Sequence, residues 1–359
     1  MPARLTFITI KFIFMYFKSL NEKSLLTILL AVTFTLISCQ KDSPPIFKDG
    51  NFHRGKPVVL VAGYESNGTN NVAKYWIDGQ EISLSDGTNN AKANSIFVFN
   101  NDVYIAGSDN GPVYWKNNRE IRLSGSDATS IFASGNDVYV AGSDGLDAVY
   151  WKNGTEVFLD HNNVYGNSND FGSSIFVSGN DVYVAGYEGS SAVYWKNGAE
   201  IYLAGGGSGI TGFIHATSIS VSGNDIHVVG YDVSSGGPFP HLWYWKNGVR
   251  VPVIIADSYG QGSSVFVSGS DVYIAGMQES YPSFVPTAAY WKNGNVILLP
   301  RSEMTSFANS IFASGNHVYV AGYENVTYQN KFAVYWKDGI ETKLTDGSHE
   351  AYATSIFIK

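Results

Sequence analysis

The dipeptide Tyr-Trp recurs seven times, at Tyr75-Trp76, Tyr114-Trp115, Tyr150-Trp151, Tyr194-Trp195, Tyr244-Trp245, Tyr290-Trp291 and Tyr335-Trp336. Successive tryptophans lie 39, 36, 44, 50, 46 and 45 residues apart. A unit of this length cannot bury its apolar face alone, so it must stack on copies of itself. One copy reads SIFVSGNDVYVAGY from Ser174 to Tyr187, then AVYWKNGAEIYL from Ala192 to Leu203. It divides into four short strands, a (SIFVS), b (DVYVAG), c (AVYW) and d (EIYL), all rich in β-branched and aromatic residues. In strand b, Val182 and Val184 point one way and Tyr183 and Ala185 the other. Such a strand is covered on both faces, as when neighbouring sheets pack against each other. No stretch after residue 45 shows sustained helical periodicity.

The turns support the same division. Strands a and b meet at Gly-Asn (Gly135-Asn136, Gly179-Asn180, Gly223-Asn224, Gly315-Asn316). Strands c and d meet at Asn-Gly (Asn153-Gly154, Asn197-Gly198, Asn247-Gly248, Asn293-Gly294). Both are two-residue hairpin signals. The first copy begins at strand b, from Val58 to Tyr64, and the last residues, Ser355 to Ile358, supply an orphan strand a. Together they complete one blade, which removes an open sheet edge. The expectation is an all-β, seven-bladed β-propeller of four-stranded antiparallel blades over residues 56–359, its first blade closed by the C-terminal strand. The units resemble extracellular propeller repeats of the HAF type and, more distantly, WD40 and kelch blades. They lack the Gly-His and Trp-Asp signature of WD40 and the paired glycines of kelch. The resemblance implies fold more than activity.

Residues 24–37 form a short apolar run behind Lys18 and Lys23, the layout of a secretory signal rather than a spanning helix. The run ends Leu36-Ile37-Ser38-Cys39, which resembles a bacterial lipobox. Residues 1–38 are therefore expected to be a signal peptide, Cys39 the lipidated first residue of the mature chain, and residues 39–55 a tether containing Pro44-Pro45. The expected location is the bacterial outer membrane, lipid-anchored and at the cell surface, with the periplasmic face as the alternative. Cys39 is the only cysteine, so neither an internal disulfide nor a Cys-based metal site can form. Removing residues 1–38 takes away four basic side chains and one acidic one, leaving 19 and 30, net −11. A surface of that sign repels phosphate backbones, so no nucleic-acid partner is expected.

In an up-and-down blade the a–b and c–d turns share one face of the ring, and the b–c and d–a loops share the other. All the variable segments belong to the second set, the usual seat of recognition on a rigid scaffold. The b–c loops carry Phe239, His241, Tyr281, Phe284 and Tyr328, and the d–a segments carry Tyr259, Phe307 and Tyr352. Phe239, His241, Tyr259, Tyr281, Phe284 and Tyr328 are the candidate ligand-binding residues, since such a rim suits stacked sugar rings or peptide segments. Trp243 aligns with Val193 and Val334 inside strand c and is expected to pack between blades.

Strand a is expected to line the central channel. Its serines (Ser95, Ser130, Ser174, Ser218, Ser264, Ser310, Ser355) would bond to backbone at strand starts or form a polar ring. The small residue two positions earlier (Ala93, Ala128, Gly172, Ala216, Gly262, Ala308, Ala353) would let seven strands converge. Lys116, Lys152, Lys196 and Lys337 are expected to pair with Glu120, Glu156, Glu200 and Glu341 across the c–d turn. No Gly-x-Ser-x-Gly, P-loop or His-x-x-x-His motif occurs, and the seven histidines are scattered. Neither a metal nor a cofactor is expected, and the acidic Ser143–Asp147 segment lacks the spacing of a calcium loop. The expected function is a non-catalytic module binding a glycan or envelope protein. The alternatives are a polysaccharide hydrolase or lyase with an acid pair assembled across blades, or a structural subunit of an envelope complex.

Overall fold

The computed structural model describes residues 56–160, 170–204, 212–234, 240–253, 258–280, 283–327 and 330–359. The expected signal peptide, Cys39 and the tether lie outside them, as do Phe239, Tyr281 and Tyr328. The described residues form seven four-stranded antiparallel sheets and no helix. Six sheets run a-b-c-d in chain order; the seventh sets β28 (Ala351–Ile358) beside β1 (Val59–Ser66), followed by β2 (Asn71–Ile77) and β3 (Gln80–Ser83). Leu60 lies opposite Phe357 and Val61 opposite Ile356, so the ring closes through its own chain ends as expected.

The turns obey the backbone preferences of their residues. Gly135, Gly179, Gly223 and Gly315 have φ near +60° and are followed by an Asn of ordinary φ, a type II′ turn. The c–d turns place both residues at positive φ, as at Asn153 (52°) and Gly154 (81°), which is type I′. The Asn side chain does further work. Asn153 Oδ1 accepts from Val138 N (2.9 Å) and its Nδ2 donates to Asp137 Oδ1 (2.7 Å), tying the c–d turn to the start of strand b. Asn117, Asn197, Asn247 and Asn293 repeat both bonds.

The repeat lysines do not meet the glutamates. Register places Glu120 opposite Trp115, and Lys116 opposite Arg119. Directly opposed residues share a sheet face, so Lys116 and Glu120 point to opposite faces. The lysines turn instead to the aspartate that opens strand b: Lys116–Asp102 (3.2 Å), Lys152–Asp137 (2.8 Å), Lys196–Asp181 (2.8 Å), Lys246–Asp225 (2.7 Å) and Lys292–Asp271 (2.8 Å). The last blade carries a compensated exchange. His317 replaces the Asp and Asp338 the Asn, and the two bond to each other (2.6 Å).

The seven repeat tryptophans are at most 1 % exposed and form the core between blades. Trp243 packs there too, stacked 5.6 Å from Trp245. Strand a is longer than SIFVS and begins beyond a β-bulge. In each blade the register slips by one residue between the small residue and the serine, as between Ala93 and Ser95. The bulged side chain reaches the next blade: Asn94 Nδ2 donates to Ala128 O (2.8 Å), Thr129 Oγ1 to Gly172 O (2.7 Å) and Thr354 Oγ1 to Ala93 O (2.7 Å). The small residues pack on the preceding blade rather than around the axis: a Cβ on Gly262 would lie 2.3 Å from Leu242 Cδ1. The bulge also explains the glycine that ends DVYVAG. A Cβ there would lie 1.7–1.9 Å from a strand-a carbonyl oxygen in every blade, so no side chain fits.

Candidate functional site: the channel mouth on the variable-loop face

The serines form a cyclic relay. Ser95 Oγ accepts from Ile131 N, Ser130 Oγ from Ile175 N and Ser174 Oγ from Ile219 N, each at 3.2 Å. Ser218, Ser264 and Ser310 continue it, and Ser355 Oγ closes it on Ile96 N. The hydroxyls are thus engaged with backbone, but of the next blade rather than of their own strand. Two residues further on, Phe97, Phe132, Phe176, Phe266, Phe312 and Phe357 line the channel with neighbouring ring centroids 4.4–5.2 Å apart. The girdle is broken only at Ser220, which stands at the seventh position. Its sequence signal is Phe two positions after the serine in six copies of seven.

Toward the variable loops, just beyond the bulge, strand a carries one residue per blade that follows no repeat: Lys92, Asp127, Phe171, His215, Gln261, Phe307 and Tyr352. Each pairs in register with the residue after the strand-b glycine: Ser108, Ser143, Tyr187, Tyr231, Met277, Tyr323 and Tyr64. Because strand a lines the channel, these seven pairs form its mouth. Phe307 and Tyr352 therefore sit in strands (Thr305–Ser314 and Ala351–Ile358), not in d–a loops. The bulge hid this, because an uninterrupted period-2 reading ends strand a at the serine.

The mouth has two aromatic arcs. In the first, Phe307 stacks on Tyr323 (4.9 Å), Tyr323 meets Tyr352 edge-on (4.7 Å) and Tyr352 lies 4.8 Å from Tyr64. Lys331 bonds to both Glu350 and the Tyr352 hydroxyl, which itself donates to Glu350 (2.6 Å). Hydrogen bonds from Lys331 and Tyr352 hold Glu350 below the usual carboxylate range. Burial is the main cause that pushes Tyr64, Tyr323 and Tyr352 above the usual phenol range, so all three stay neutral at physiological pH. In the second arc Phe171 stacks on Tyr187 (5.6 Å), Tyr187 on His215 (4.2 Å), and His215 lies 5.8 Å from Tyr231. Burial lowers the His215 pKa, which keeps the imidazole neutral.

Three of the candidate residues meet at a separate point on the same face. Tyr259 lies 5.7 Å from His241 and 6.2 Å from Phe284 by ring centroid. It belongs to a strand (Ser258–Ser268), again correcting its loop assignment. Asp232, nearly enclosed, accepts from His241 N (2.8 Å) and lies 3.0 Å from His241 Nδ1. Glu279 pairs in register with Tyr259, is 7 % exposed, and its carboxyl is raised by burial. Glu324 is also raised by burial, but it is wholly enclosed and accepts from Ser302 Oγ (2.8 Å). The Ser143–Asp147 segment folds as a two-residue hairpin with Asp144 opposite Asp147. Among the described residues, no three metal-ligating side chains group together.

No family model and no curated protein matches the sequence. Solved structures match by shape. A computationally designed protein, Ika8, aligns at 17 % identity over 83 % of this chain and 91 % of its own (TM-score 0.45). A candidate 6-phosphogluconolactonase from Bacteroides fragilis aligns at 10 % identity over 85 % of this chain and 98 % of its own (TM-score 0.48). A puromycin-hydrolyzing peptidase from Mycobacterium tuberculosis aligns at 10 % identity over 80 % of this chain (TM-score 0.52), and only 52 % of the peptidase is spanned. Likeness at such identities concerns the fold alone.

Proposed function

We propose that the protein is a lipid-anchored propeller of the bacterial cell envelope that binds a glycan or an envelope protein, without catalysing a reaction, through its variable-loop face. The observation that carries this reading is the contrast within strand a. The serine, bulge and girdle positions repeat around the ring, while the seven mouth positions diverge and gather aromatic faces in two arcs. Partly exposed aromatic side chains beside polar groups are what sugar rings and extended peptides pack against. The anchor rests on the lipobox-like Leu36–Cys39 segment. The test uses the mature chain from residue 39 with Cys39→Ser, probed on a glycan array and by crosslinked pull-down from envelope extracts. Tyr323→Ala and Tyr187→Ala each disable one arc. Ligand capture that neither variant weakens refutes the mouth as the site. For the anchor, the unaltered protein should partition with membranes and the Cys39→Ser form should not.

A second reading, a polysaccharide hydrolase or lyase, draws on the Asp232–His241 pair and the raised carboxyl of Glu279. It requires the protein to release new reducing ends from a polysaccharide, with loss of that activity in His241→Ala and Glu279→Gln.

A further inference from the structure

The two arcs differ in charge. Of the seven mouth positions only that of blade 2 holds a lysine or arginine, Lys92. Its ammonium stands over the Tyr64 ring, 5.1 Å from the centroid, at the end of the first arc. Most lysines of the ring are ion-paired: Lys74, Lys116, Lys152, Lys196, Lys246, Lys292, Lys331 and Lys343 each have a carboxylate oxygen within 3.2 Å or less. Among the described residues Lys92 has no carboxylate at salt-bridge distance, and its side chain is half-buried rather than free in solvent. Glu350, whose carboxylate feels the Lys92 charge, is already held by Lys331 and Tyr352.

The sum of Lys92, Lys331 and Glu350 is one positive charge. Three tyrosines wall that charge, and all remain protonated. This is a cationic spot on a mature chain of net −11. A half-buried ammonium held over an aromatic face without a carboxylate partner keeps N–H donors for an incoming acceptor. An anionic group placed there would make a charge-assisted hydrogen bond away from full solvent screening.

We propose that this arc binds an anionic sugar residue: the pyranose packs against the aromatic arc of Tyr64, Tyr323 and Tyr352, and a carboxylate or sulfate ester meets Lys92 Nζ. The inference rests on the binding reading above and narrows it to a ligand class. Asp127, at the mouth position of the adjacent blade, sets a limit to the arc by repelling a second acid group on that side. Tyr64 comes from β1 and Tyr352 from β28, so the ligand would bridge the seam where the chain ends join. Binding would therefore hold the ring closed, and the melting temperature would rise with ligand concentration.

The test is titration calorimetry on the mature Cys39→Ser chain with four probes: hexagalacturonic acid, a heparin-derived hexasaccharide, maltohexaose and cellohexaose. The expected result is binding of an acidic probe that salt weakens and that raises the melting temperature. Lys92→Gln should weaken it about tenfold, while Lys92→Arg retains it and Lys116→Gln, on the hairpin face, leaves it unchanged. Binding of the galacturonate alone assigns a carboxylate, and binding of the heparin fragment alone a sulfate. If Lys92→Gln lowers the melting temperature, Lys92→Met gives the same neutralisation with the apolar stem kept. The inference is overturned if no acidic probe binds, if Lys92→Gln changes nothing, or if Lys116→Gln weakens binding equally. Neutral probes binding at the tyrosines in that case would leave the wider binding reading standing. No probe or array ligand sensitive to Tyr323→Ala would remove both.

Discussion

Deleting residues 355–359 tests ring closure most directly. The deletion removes Ile356 and Ile358, both buried, and Phe357, whose ring lies 5.2 Å from Phe97 and 5.0 Å from Phe312. Burial of side chains of this size is worth about 1.5–3 kcal/mol each. The deletion also removes two bonds of the serine relay, Ser355 Oγ to Ile96 N and Ser310 Oγ to Ile356 N, at about 1 kcal/mol each. The loss is roughly 5–10 kcal/mol after discounting for Phe357, which is only partly buried. A folded domain has in all about 5–15 kcal/mol. The truncated chain should therefore show no cooperative transition by scanning calorimetry, or a midpoint lowered by more than about 10 °C. Ser355→Ala alone, which keeps the strand but leaves the buried Ile96 N–H without its acceptor, should cost about 1–3 kcal/mol. A truncated protein melting within a few degrees of the parent would show that the seam lies outside the cooperative core and that closure does not stabilise the ring.

Gly186→Ala should destabilise strongly or prevent folding, because the new Cβ would sit 1.8 Å from Phe171 O and 3.1 Å from the Trp195 ring; soluble yield and melting temperature read this out. Acid should weaken the ring. Hydrogen bonds from Lys152 and Asn153 hold Asp137 below the ordinary aspartate value of 3.8, and Asp181, Asp225 and Asp271 are held likewise. Depressed carboxyls add stability above their unfolded pKa and lose it as pH falls through the folded one, so the urea midpoint should drop below about pH 4; a midpoint flat into stronger acid contradicts the pairing. Glu279 has the opposite sign. Burial raises its carboxyl, so its charge costs stability at neutral pH and Glu279→Gln should raise the melting temperature at pH 7, with the gap closing as the pH is lowered.

Much of the ring was legible because its evidence is local. Asn153-Gly154 announces a type I′ turn, Tyr183 between two valines announces a strand covered on both faces, and Ser355–Ile358 announces its missing partner. What escaped depends on register. Lys116 and Glu120 are four residues apart across a hairpin, which invites pairing, yet only the alternation of faces shows that the lysine must turn to Asp102. The bulge at Asn94 shifts phase within strand a, so Phe307 and Tyr352 read as loop residues when they are strand residues at the mouth, where Lys92 also lies. His241, Tyr259 and Phe284 read individually as aromatic or polar rim residues; that His241 and Phe284 both lie against Tyr259 emerges only when the blade segments are placed in space.

The seam also bears on how such a chain can lengthen. The unit written along the polypeptide is b-c-d-a, while the unit that stacks is a-b-c-d, and the two are offset by one strand. A tandem copy of any stretch one period long therefore adds a whole wedge to the circle, wherever the copying begins, because the terminal strands still find each other. The same offset gives each a–b hairpin equal standing as a place to open the backbone, provided the ring's first and last strand segments, whose Val58 and Lys359 are already linked by two backbone hydrogen bonds, are spliced.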